Sequence, residues 1–154
     1  MKILVCSDGS PDSRKALEKA AEIAAGQNID QVAVIHIDEQ KHDISTLLPL
    51  RDGYRPSEQD LEHLKKLNVD HRKEKAEKIF QEAIKVFAEK NIEVGTIFEQ
   101  GHPAKTILDI AQDQGFDMIF VGGRGMSGWK KRILGSVSGA IVNEAKNICV
   151  VVAK

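Results

Sequence analysis

Aromatic residues are scarce in this chain, with one Trp, one Tyr and five Phe among 154 residues, so aliphatic side chains must build the core. Cysteine is scarcer still. Cys6 and Cys149 lie inside apolar runs and form no Cys-x-x-Cys pair, which excludes a disulfide framework or zinc ribbon as the organising device and leaves two buried core thiols as the expectation. An excess of one charge is also missing. Twenty-two Lys and Arg stand against 23 Asp and Glu, a net charge of −1, so no global basic field draws the protein to nucleic acid or to anionic lipid. The opening apolar run, Ile3-Leu4-Val5-Cys6, is too short for a secretory signal and far too short to span a bilayer, so the expected location is cytoplasmic.

The remainder is an ordinary globular balance, 42% hydrophobic and 29% charged, at a length that fits one domain spanning residues 1–154. Ile3 to Cys6 reads as a buried strand running into the turn Ser7-Asp8-Gly9-Ser10. A helix should follow at once. Ser10 is placed to cap it, Pro11 suits its first position, Ala16, Leu17, Ala20, Ala21 and Ala24 form its apolar face, and Gly26 stops it. Val32 to Ile37 is a second buried strand. From about 39 to 70 the pattern lapses into a variable insertion, polar through Pro56, with Leu61, Leu64 and Leu67 making a short amphipathic turn. A strong helical stripe follows, from Ala76 to Phe87. Ile92, Val94, Thr96 and Phe98 alternate as a third strand, and Gly101-His102-Pro103 opens a helix with Ala104, Ile107, Leu108 and Ala111 inward. Asp117 to Val121, a last helix from Ser136 and a strand from Ile148 to Val152 complete an alternation that implies a parallel α/β sheet with helices on both faces.

Gly123-Arg124-Gly125-Met126-Ser127-Gly128 matches the dinucleotide pattern by letter, but it follows the fourth strand rather than the first and opens no helix, so it does not serve as that fingerprint. A Walker A loop fails as well, because Trp129 follows Gly128. A different spacing is more informative. Gly122-x-x-Gly125, nine residues, then Gly135-Ser136 at a helix start either cradles a phosphate between close-approaching backbone and free helix N–H groups or merely shapes a long loop. The five histidines show no i, i+4 pairing, and Lys130-Lys131-Arg132 reads as a solvated basic turn.

The glycine spacing, together with Ile3-Leu4-Val5-Cys6-Ser7-Asp8-Gly9-Ser10 and Gly101-His102-Pro103-Ala104, resembles the universal stress protein family in its ATP-binding form. The resemblance implies a Rossmann-like open parallel five-stranded sheet in order 3-2-1-4-5, with ATP across the carboxyl ends of strands 1 and 4. Carried over by position, it gives Ser7 and Asp8 a ribose- or metal-linked role and lets Ile37 meet adenine through its backbone. It places Val121 and Gly122 under the base and ribose, turns Arg124 and Gly125 toward the phosphates, and makes Gly135, Ser136, Val137 and Ser138 hold them. The metal, Mg or Mn where one is used, stays open. Gly123 stands where the family commonly has a hydroxyl residue, and Gly139 predicts a looser first turn of the phosphate helix. The implied function is a stress-response regulatory domain, a nucleotide-dependent homodimer joined along Ile148 to Val152, with slow or no hydrolysis and no catalytic residue assigned. The rival is an adenylating or pyrophosphate-releasing enzyme, since Ser7 to Ser13 loosely resembles the loop of ATP pyrophosphatases; Asp8 in place of a glycine would set a carboxylate against pyrophosphate.

Overall fold

Why the strands come first in the core is visible in their composition: continuous apolar runs can be buried only where both sheet faces are covered. The computed structural model describes residues 1–39, 57–125 and 134–154. Within them β1 (Lys2–Cys6), α1 (Pro11–Ala25), β2 (Gln31–Asp38), α2 (Glu58–Ala88), β3 (Gly95–Gln100), α3 (Pro103–Asp113), β4 (Met118–Gly122), α4 (Ser136–Glu144) and β5 (Cys149–Ala153) alternate along the chain. All neighbouring strands are parallel, in the order β3-β2-β1-β4-β5. The sequence positions 40–56, and with them most of the expected insertion, lie outside the described residues, as does the basic run Lys130-Lys131-Arg132.

Two apolar layers flank the sheet. Ile3, Val5, Val32, Val34 and Phe120 pack with α1 and the carboxyl half of α2, through Leu17, Ala20, Ala83 and Phe87. Leu4, Cys6, Ala33, Ile35, Ile119 and Val121 point the other way, onto Ala104, Ile107 and Leu108 of α3 and Ile141 of α4. This is the period of two expected of strands covered on both faces. Helix α1 begins as its sequence dictates, with the Ser10 hydroxyl accepting the Ser13 N–H at 3.2 Å and Gly26 at its carboxyl cap.

Three expectations are corrected. The short turn at Leu61 to Leu67 and the stripe from Ala76 are one helix of 31 residues, started by a capping box in which Ser57 and Asp60 satisfy each other's backbone N–H groups. Among its described side chains the first that is buried is Ala76, so the preceding turns give only a weak apolar signal. The third strand begins at Gly95 rather than Ile92. Asn91, at φ 58°, turns the chain out of α2, and Ile92 and Val94 pack against the α1/α2 layer before pairing starts. Finally, Cys6 is buried but Cys149 is exposed, because it opens an edge strand.

In helix α4 the Gly139 N–H reaches the Gly135 carbonyl at 2.8 Å. At Gly123 a Cβ would stand 2.9 Å from Lys154 Cγ and 3.1 Å from the Ala153 carbonyl oxygen. A hydroxyl residue there would require Lys154 to move and the end of β5 to give by a few tenths of an ångström.

Candidate functional site

The chain leaves β1 toward β2 and β3 on one side and returns to β4 and β5 on the other, so loops diverge where β1 meets β4 and open a crevice at the strand ends. A cleft of about 580 Å³ occupies that place. Its floor comes from Cys6, Ser7 and Asp8 after β1, Ile35 to Asp38 of β2, and Val121 and Gly122 of β4. Arg124, Gly125 and the stretch Gly135 to Ser138 form one rim; Pro103 and Ile107 of α3 form another. All the positions carried over from the sequence, Ser7, Asp8, Ile37, Val121, Gly122, Arg124, Gly125, Gly135, Ser136, Val137 and Ser138, line this one cleft.

The turn after β1 is held by short polar contacts. Asp8 Oδ1 accepts the Ser10 N–H at 2.9 Å, Ser10 Oγ donates to the Arg124 carbonyl at 3.3 Å, and the Ser7 and Ser13 hydroxyls meet at 3.4 Å. The β1 and β4 ends are thereby tied to the start of α1. His36 Nδ1 lies 2.8 Å from the Ser7 carbonyl; a carbonyl only accepts, so this nitrogen carries the proton. Burial pushes the Cys6 thiol far above its ordinary range, and the Asp8 carboxylate adds to the shift. Cys6 is thus an inert part of the floor.

The two rims offer different chemistry. Alternate residues of a strand direct both backbone groups to the same neighbour, and Ile35, whose carbonyl accepts the Ser7 N–H at 3.0 Å, faces β1. Ile37 faces the same way, but pairing with β1 ends at Cys6 and Ile35, so its N–H and C=O are directed at the cleft as one donor and one acceptor. Across the cleft, the Gly123 carbonyl accepts both the Gly135 N–H at 2.7 Å and the Ser138 hydroxyl at 3.1 Å. The hydroxyl of Ser138 is therefore engaged in fixing the start of α4, and what faces a ligand there are the first N–H groups of the helix, a ready site for an anion.

The glycines divide by what crowds them. A Cβ on Gly122 would stand 2.6 Å from Ser13 N and 2.7 Å from the Asp12 carbonyl carbon, so this glycine serves the close approach of β4 to α1. Among the described residues, a Cβ on Gly125 would meet only Asp8 Oδ2, at 2.9 Å. Gly125 is exposed, and its missing side chain keeps the cleft open.

Sequence reasoning missed the wall contributed by α2. Ile79 touches the β1–α1 turn, lying 3.3 Å from a Gly9 Cβ position, and one to two turns earlier Lys75, Arg72 and His71 border the cleft. Arg72 Nη1 donates to Asp38 Oδ2 at 3.0 Å. The helix start was legible in Ser57-x-x-Asp60, but no signal in the chain joins residue 72 to residue 38. Among the described residues no group of three or more His, Cys, Asp or Glu is arranged to hold a metal ion, and no helix is long and apolar enough to cross a membrane.

Comparison with known proteins agrees with this geometry. The chain is 34% identical over 137 residues to the universal stress protein YxiE of Bacillus subtilis, covering 89% of this chain and 88% of that one. Its fold superposes on the universal stress protein UspA of Lactobacillus plantarum with a TM-score of 0.77 at 20% identity, covering 100% and 97% of the two chains. The universal stress protein of Archaeoglobus fulgidus in complex with dAMP gives a TM-score of 0.64 at 22% identity, with coverages of 100% and 98%. The family model described as the universal stress protein family matches residues 1–153, and with that match over a sheet, switch point and glycine spacing of the expected kind, the chain belongs to the universal stress protein family.

Proposed function

We propose that this protein is an ATP-binding regulatory domain, residues 1–154, whose homodimeric state responds to nucleotide. The observation that carries the reading is the pairing of two unlike rims across one cleft: the free N–H and C=O of Ile37 on one side, and the N–H groups at the start of α4 beside Gly125 on the other. A donor and acceptor side by side match the polar edge of adenine, whereas helix N–H groups match phosphate. Asp8, between the two, is placed for a ribose or for a metal accompanying the phosphates. The dAMP held by the Archaeoglobus fulgidus relative supports an adenine nucleotide as the ligand class.

The same residues support binding rather than turnover. Rapid phosphoryl transfer needs concentrated positive charge at the γ-phosphate and a group that orients the nucleophile. Near the phosphate rim the described residues supply Arg124 and backbone donors, which hold ground state and transition state alike, and uniform binding gives no acceleration. A bound nucleotide then acts by favouring one conformation or assembly through differential affinity. In this reading the domain works in the cytoplasm and pairs along β5, an edge strand whose valines are half-buried.

Calorimetry with ATP on the native protein and on Gly125→Val tests the site. The expected result is binding to the first and none to the second, with equal melting temperatures, because the new side chain fills the cleft without touching the core. Equal affinity in the two proteins would remove the phosphate assignment. Mass spectrometry of ligand released by denaturing the purified protein identifies the nucleotide directly.

A further inference from the structure

We propose that Arg72 covers the base on the α2 side of the cleft and that Asp38 is the positioning residue that holds it there, an inference that rests on the nucleotide reading above. Asp38 follows Ile37, the residue whose backbone groups face the cleft. Side chains alternate along β2, so Ile37 points to the α3 layer while Asp38 points to the α2 side. Its Oδ2 accepts from Arg72 Nη1 at 3.0 Å, with the two side chains only 10% and 22% exposed. The Asp38 carbonyl meanwhile accepts the Gly101 N–H at 3.2 Å, in the turn that leads to Pro103 and Ile107 on the opposite wall. One residue thus ties both walls of the slot to the end of β2.

The pair is not explained by the core. Helix α2 buries no described side chain before Ala76, and a partly buried ion pair carries a desolvation cost that its attraction barely repays. What the arrangement provides is a guanidinium tethered through one nitrogen at the border of the cleft. A planar guanidinium stacks on aromatic faces, whereas an ammonium is a compact, strongly hydrated charge. With Asp38 tethering it, Arg72 loses less freedom when a flat base slides against it, and Pro103 and Ile107 supply apolar contact from the other side. The recognised chemistry is a purine face, independent of the phosphates.

Titration of adenosine, ATP and inorganic triphosphate against the native protein, Arg72→Met, Arg72→Lys and Asp38→Asn separates the possibilities. Arg72→Met is expected to weaken adenosine and ATP by the same factor, about 5- to 25-fold for a desolvated cation–π contact, and to leave triphosphate unchanged. Arg72→Lys keeps the charge pair, and hence the anchoring of α2, but should fail to restore adenosine affinity. Asp38→Asn should weaken adenosine and ATP less than Arg72→Met does. A loss confined to ATP and triphosphate would make Arg72 a phosphate ligand and overturn the proposal; so would unchanged adenosine affinity in Arg72→Met, or full recovery in Arg72→Lys. A native protein that binds neither adenosine nor ATP would sink the nucleotide reading itself, and this inference with it.

Discussion

Replacing Gly122 by alanine should damage the fold rather than the site, although the residue lies in the cleft beside Gly125. The added carbon would stand 2.6 Å from Ser13 N, about 0.8 Å inside the 3.4 Å at which ordinary contact begins. Backbone cannot rotate out of the way as a flexible side chain can, so the first turn of α1 must shift. That turn is held by Ser13 N–H to Ser10 Oγ at 3.2 Å and by Ser10 Oγ to the Arg124 carbonyl at 3.3 Å. Overpacking costs about 1–3 kcal/mol and a weakened Ser cap about 1 kcal/mol, so the sum is roughly 2–4 kcal/mol. For a domain of this length each kcal/mol moves the melting temperature by about 2–4 °C, which places the loss at roughly 4–16 °C. Thermal melting and urea unfolding followed by circular dichroism measure it directly. Gly122→Ala melting within about 2 °C of the native protein, with the same urea midpoint, would refute the claim that β4 and α1 meet too closely for a side chain.

Other outcomes follow from burial and edges. Phe87→Ala should cost about 3–5 kcal/mol because Phe87 is fully buried, whereas Phe98→Ala should cost clearly less, since Phe98 is 37% exposed and packs only partly, against His36; equal losses in urea unfolding would contradict the β3 register. A maleimide at pH 8 should label Cys149 in the folded protein and spare Cys6 until unfolding, since burial and Asp8 hold the Cys6 thiol protonated; rapid double labelling counts against it. Light scattering at micromolar concentration should give twice the 17.0 kDa chain mass, and a single-chain mass would remove the β5 dimer. Steady-state phosphate release should stay well below about 1 per second, and a faster rate abolished by Gly125→Val would favour the enzyme reading.

The central strands were legible because β1, β2 and β4 are buried on both faces and so are written as unbroken apolar runs. Edge strand β3 was displaced for the opposite reason. Its residues are mostly exposed, so the alternation at Ile92 and Val94 that mimicked a strand records loop residues packed under α2. Cys149 was misjudged on similar grounds, since an apolar run tells nothing about whether its first residue is covered. The phosphate side of the site was readable because glycine spacing and a helix start are local features. The α2 side was not, because Arg72 reaches Asp38 only through the tertiary return of a long helix. Cys6 and Cys149 make the same point from the sheet: they sit two strands apart, three ladder positions out of step and on opposite faces, relations set wholly by topology.

The bond between Gly123 and Gly135 pinches the chain into a closed loop, with both ends of residues 124–134 fixed at one carbonyl. The two bonds on that carbonyl, from the Gly135 N–H and the Ser138 hydroxyl, set the start of α4 from the end of β4, so any shift of β4 is passed directly to the helix N–H groups that face the cleft.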